Sequence, residues 1–271
     1  MVRLVKPLRF LSETRSGSLD GKETKARLHQ TERRKTSRQH LEKALGTRLS
    51  ALIGNAHRPK FWAEELAWGT KLQKDSSVLV LSSEEDRYVA SFTKAGLAAL
   101  ASGAFEAFTG GNQHLPQADG AFRSVFIPYA WHEFHDRTRV AVECYRVLKN
   151  DGTISILSQS HEQLRGKPLF KFFPEAVTRQ ISLYASIPDL TAVIEKVGFK
   201  SIETSSYSWS GNVKPSEYID AAERKLWPEL AVLTDEVRQR GIKELRDYIA
   251  RRGDEPFRDD DASTLVVGKK Q

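Results

Sequence analysis

The chain has 271 residues, enough for one substantial α/β domain with additions. Hydrophobic residues make up 39%, and no apolar run approaches the ~20 residues of a membrane-spanning helix, so no contact with a membrane is expected. The single cysteine, Cys144, excludes a disulfide framework and a thiolate metal cluster.

The net charge of +7 is uneven. Residues 1–40 hold eleven Lys or Arg against four Asp or Glu, so this segment carries the whole excess and the remaining residues sum to zero. A basic arm of this kind favours phosphate-rich or acidic partners, by releasing counterions. RNA, or an acidic protein in a hetero-oligomer, is the candidate partner. A solvated, partly disordered leader is the plainer reading. An organelle transit segment is a third, because Leu4, Leu8 and Leu11 fall on one helical face among basic residues. The expected location is intracellular and cytoplasmic, with organelle import left open.

Residues 1–40 read as a basic arm without fixed structure, and 12–40 within it have no apolar period. Residues 41–74 read as a helical extension, with Leu41, Leu45, Leu49 and Leu52 at helical steps, then Phe61, Trp62, Leu66 and Trp68. From residue 75 the pattern becomes alternating. Ser77–Leu81 is a short apolar run typical of a buried parallel strand. A helix is expected over 86–101, ending near Gly103, and a short strand at Phe105–Phe108. Ser124–Pro128 and Thr153–Leu157 read as further strands, separated by a helix over 137–149 that Asp136 can cap and a tight turn at Asn150-Asp151-Gly152. Ser186 and Asp189 signal a helix start and Gly198 its end. Ser201–Tyr207 and Thr264–Val267 complete the strands. The last two are expected to pair antiparallel, with residues 208–262 inserted between them as a helical lid. The fold class is thus α/β, doubly wound and Rossmann-like, with a mostly parallel sheet.

The stretch 115–157 carries motifs that can be set beside a known family. They are Leu115-Pro116, Asp119-Gly120-Ala121-Phe122, His132, and Glu143-Cys144-Tyr145-Arg146-Val147-Leu148-Lys149. His161-Glu162-Gln163-Leu164, Lys171-Phe172-Phe173-Pro174-Glu175-Ala176 and Val197-Gly198-Phe199 follow in order. In these positions the chain resembles the class I S-adenosylmethionine (SAM)-dependent methyltransferases, type-11 branch. The resemblance covers about 77–207 and the last strand, and it implies a class I methyltransferase fold over 75–271 with SAM at the carboxyl ends of the first strands.

The family's first loop reads roughly D-x-G-x-G-x-G, because the backbone must turn tightly and approach the ligand closely. Here the matching stretch is Val80-Leu81-Ser82-Ser83-Glu84-Glu85-Asp86. It holds no glycine, and its acid position is Val80. Glu84 to Asp86 also have a plain role as caps of the following helix. The ribose-binding acid has no clear counterpart, since Glu106 lies in an apolar run. The family's adenine-contacting Asp aligns with Gly111, with Asn112 and Gln113 beside it.

The residues that would line a surviving cofactor site are Leu81, Ser82, Ser83, Glu84, Gly111, Asn112 and Gln113. Tyr129 and His132 are the candidates beside a methyl acceptor. His132, Glu133, His135 and Asp136 form a tempting cluster without a distant third ligand, so no metal site is expected. Two functions follow from the resemblance. One is a non-catalytic binding or scaffolding module with a degenerate SAM site; the alternative is an active SAM-dependent methyltransferase with a divergent cofactor loop.

Overall fold

The computed structural model describes residues 59–83, 85–101 and 114–271. Helix α1 (Pro59–Gly69) opens with proline at a first-turn position, where no amide donor is needed, and buries Trp62, Ala63 and Leu66 on one side. Strand β1 (Ser77–Val80) leads into α2 (Glu85–Lys94). Glu85 and Asp86 occupy the first turn of α2 and Lys94 the last, each placed to complement the helix dipole.

The helix expected over 86–101 stops at Lys94. Gly96 adopts a left-handed φ of 83° that an L side chain resists, and Ala98–Ala101 then forms strand β2, in parallel register with β1 from Ser77↔Ala98 to Val80↔Ala101. Alanine and leucine fit either structure, so the neighbouring strand decides. The expected strand at Phe105–Phe108 lies outside the described residues, as does the helical pattern of Leu41 to Leu52.

Strand β3 (Phe122–Pro128) is followed by α3 (Arg137–Val147), whose N-terminus is capped as expected: Asp136 accepts the Arg139 N–H at 2.8 Å. Strand β4 (Leu148–Ser158) absorbs the Asn-Asp-Gly turn as an irregularity, with Asp151 at φ 60° and the register with β3 jumping between Phe122↔Leu148 and Ser124↔Thr153. Helices α4 (His161–Arg165), α5 (Pro174–Leu183) and α6 (Ile187–Val197) come next. Ser186 caps α6 by accepting the Asp189 N–H at 3.2 Å.

Strand β5 (Lys200–Trp209) precedes a helical segment of α7 (Pro215–Glu223), α8 (Pro228–Ala231) and α9 (Asp235–Arg252). Short strands β6 (Asn212–Val213) and β7 (Phe257–Arg258) pair at the base of this segment, and β8 (Asp261–Lys269) follows.

The six-stranded sheet runs β2-β1-β3-β4-β8-β5. β2, β1, β3 and β4 are mutually parallel, while β8 is antiparallel to both β4 and β5. The direction of winding therefore reverses between β1 and β3, which opens a crevice at their carboxyl ends. Two apolar layers flank the sheet. One joins Leu79, Val125, Ile127, Ile154, Ile156 and Val266 to α3 and α6; the other joins Val78, Val80, Phe126, Leu157 and Leu265 to α1 and α2. No helix among the described residues is long and apolar enough to cross a membrane.

Candidate functional site

The crevice at the carboxyl ends of β1 and β3 is built first by the residues leaving β1. Val80 is completely buried and belongs to the layer containing Trp62, Tyr88, Phe92 and Phe126. Leu81 is equally buried, on the opposite layer, and its amide donates to Phe126 O at 2.9 Å. Ser82 is 5% exposed, and its hydroxyl reaches Pro128 O at 3.4 Å, so the chain leaving β1 is tied to the end of β3. Ser83 is exposed. Glu84, Gly111, Asn112 and Gln113 lie outside the described residues. Strand β2, which would carry an acid toward a ribose, reads Ala-Ala-Leu-Ala.

Tyr129 follows β3 with φ 51°, a left-handed backbone that costs a tyrosine about 1 kcal/mol or more. Three contacts hold it there. Its amide donates to Leu157 O at 2.9 Å, its ring packs on the α1–α2 layer, and its hydroxyl lies 2.5 Å from Ser263 Oγ.

His132 sits in the 3₁₀ turn Trp131–Glu133 and takes another course. Its ring stacks on Tyr184, centroids 4.2 Å apart and planes at 17°. Burial, helped by the nearby Arg137 guanidinium, lowers its pKa from 6.5 to about 4. His132 is therefore neutral at physiological pH. Arg137 fixes the turn by donating to Trp131 O at 3.2 Å and reaches Leu183 O at 2.9 Å. His161 Nε2 lies 2.9 Å from Tyr184 O. Burial first, then the carboxylates of Glu229 and Glu133, push the Tyr184 phenol well above its ordinary range. The sequence-named pair is thus split: Tyr129 turns to the α1–α2 layer and Ser263, His132 to Tyr184. Tyr184 and Arg137 carried no sequence signal, because they meet His132 only through the fold.

Most of the remaining named residues have structural partners. Asp136 caps α3, and His135 is exposed. Gln163 completes a capping box with Ser160 and also accepts from the Thr264 hydroxyl at 3.2 Å. Glu143, 2% exposed, accepts the Leu115 N–H at 2.9 Å and lies 3.4 Å from His114. Burial alone would raise its pKa; hydrogen bonds from Arg146 and the Leu115 amide, together with the nearby charges, outweigh this and lower it.

A sheet of this strand order, with its switch point between β1 and β3, and a Glu-x-x-Arg helix closing on the segment before β3 together make a recognisable assembly. The chain carries the class I methyltransferase fold. Residues 85–156 match the family model described as a methyltransferase domain. A protein assigned as a methyltransferase of an antibiotic biosynthesis pathway, from Anabaena variabilis, superposes with a TM-score of 0.60 at 14% identity, over 77% of this chain and 96% of its own. A demethylmenaquinone methyltransferase from Lactobacillus johnsonii is 29% identical over 111 residues, 34% of this chain. That match spans 46% of the relative's length. The superfamily likeness drawn from residues 115–157 thus agrees with both the family match and the methyltransferase fold.

Proposed function

We propose that this methyltransferase-fold protein no longer transfers methyl groups and acts as a binding or scaffolding module, engaging RNA or an acidic protein through residues 1–40. The observation that carries this reading is Val80. It stands where the family places a carboxylate for the cofactor's ammonium, and it is buried completely among Trp62, Tyr88 and Phe126. Ser82 adds to it: a buried side chain, bonded across to Pro128 O, takes the place of the first glycine. The Ala-Ala-Leu-Ala of β2 offers no acid for a ribose. The part of the donor set that lies among the described residues does not fit SAM. Charge-assisted hydrogen bonds are each worth ~1.5–3 kcal/mol, so their joint loss weakens binding by orders of magnitude.

One observation favours the alternative, an active SAM-dependent methyltransferase with a divergent loop. Tyr129 holds a strained backbone at the ligand-facing edge, where strain often accompanies function.

Calorimetric titration of the full chain with SAM separates the two. No heat of binding is expected up to ~1 mM ligand; a dissociation constant of ~10 μM or tighter would overturn the proposal. The scaffolding half is tested with single-stranded RNA and a polyglutamate peptide. Binding to one of them that is lost on deleting residues 1–40 is expected; binding that survives the deletion removes the arm from the account.

A further inference from the structure

The edge of the sheet away from the crevice carries a second feature. At the amino ends of β3 and β4 lies an open groove of about 620 Å³, lined by Asp119, Gly120, Arg146, Lys149, Asn150 and Lys270, with Leu148 at its floor. This volume lies within the usual range for small-molecule sites.

Its charges are sorted in a specific way. Both carboxylates at this edge are already held by cations, Asp119 by Arg146 at 2.7 Å and Asp151 by Lys269 at 2.9 Å. Arg146 is fully engaged and serves as wall rather than donor. Lys270 donates to Tyr145 O and Leu148 O, each at 2.7 Å, which leaves one ammonium N–H unused, and its charge rests 4.7 Å from the Tyr145 ring centroid. Arg123 touches Asn150 O at 3.4 Å, with further guanidinium donors to offer. Lys149 is exposed and has no side-chain partner among the described residues. Three cations with spare donors therefore gather around residues 148–150, with no uncommitted side-chain carboxylate beside them among the described residues.

We propose that this groove binds a small polyphosphate, as free pyrophosphate or the phosphate tail of a nucleotide. Cations with several N–H donors suit phosphate oxygens. No aromatic side chain lines the groove to stack a base, so recognition falls on the phosphates. The site is separate from the crevice, and it stands whether or not SAM binds there.

The test is calorimetry on the full chain at low ionic strength, with pyrophosphate, ATP and adenosine as probes. Pyrophosphate and ATP are expected to bind and to compete, and adenosine to give no heat. Lys149→Glu should weaken pyrophosphate binding about tenfold or more, and Lys149→Ala by less. Lys60→Glu, the same charge change on exposed α1, should leave it unchanged. Lys149 is exposed and has no side-chain partner among the described residues, so its variants should keep the wild-type melting temperature. Equal affinity of Lys149→Glu and wild type, an equal loss in Lys60→Glu, or competition by adenosine would overturn the site. Binding of single-stranded RNA without any binding of pyrophosphate would also overturn it, since the ligand would then be a polymer backbone.

Discussion

Arg146 directs every one of its five N–H donors at the Glu143 side chain or the chain segment 115–119. Nη2 bonds Glu143 Oε2 at 2.8 Å and Leu115 O at 2.9 Å; Nη1 bonds Gln117 O at 2.8 Å and Asp119 at 2.7 Å; Nε faces both Glu143 oxygens at 3.2 Å. With Glu143 accepting the Leu115 amide, the pair clamps the irregular segment that leads into β3.

Removing one half of a buried pair leaves the other charge uncompensated, at a cost of about 3–5 kcal/mol. Arg146→Met is expected to destabilise by that amount and Glu143→Gln by about 1–3 kcal/mol. The double variant should fall well short of the sum. Urea denaturation of the three variants measures this; full additivity would show that the clamp does not act as a unit.

Stability should fall with acid in a window set by His132. The folded chain keeps this ring neutral down to about pH 4, whereas the unfolded chain protonates it near 6.5. The unfolded state therefore binds the extra proton between these values, and stability rises with pH across them. The full effect is at most about 3 kcal/mol. His132→Phe keeps a ring on Tyr184 and should flatten this slope. Glu143, whose pKa is lowered by folding, leaves a further loss at lower pH. A variant that retains the slope between pH 6.5 and 4 would locate its source elsewhere.

Restoring the family's acid at the end of β1 should not restore a cofactor site. Val80→Asp places a carboxylate in a fully buried apolar layer, at a cost of about 3 kcal/mol or more, and the group would take up a proton rather than ionise. Lower thermal stability without SAM binding is the expected result. A folded variant that binds SAM would show an accessible crevice and undo the scaffolding proposal.

Gly241, in the middle of α9, meets Phe173. A Cβ there would stand 2.7 Å from Phe172 O and closer still to the Phe173 ring. Gly→Ala usually gains about 1 kcal/mol inside a helix. At Gly241 it is expected to cost about 1–3 kcal/mol, because a completely buried ring must move. Thermal denaturation reads the sign directly.

The sheet was largely legible because its central strands are continuous apolar runs, as in Ser-Val-Leu-Val and Thr-Ile-Ser-Ile-Leu, and strands covered on both faces look this way. β2 was not, since Ala-Ala-Leu-Ala has no period and takes its conformation from β1. The caps at Asp136 and Ser186 were readable because their chemistry is local. The surroundings of His132 were not: Tyr184 and His161 come from separate loops and helices. Nor does any residue type announce that Tyr129 will take a left-handed backbone. Glu143 and Arg146 were visible as a family motif, but their work on residues 115–119 appeared only in three dimensions.

The lone reversed strand has a temporal consequence. β8 bridges β4 and β5, yet it is made some fifty residues after β5. A nascent chain halted before residue 261 would present two open sheet edges, which invite pairing with other chains. Joining strands so distant in sequence also slows folding, so sheet closure should be the late, vulnerable step of biogenesis, and the interval in which a chaperone matters most.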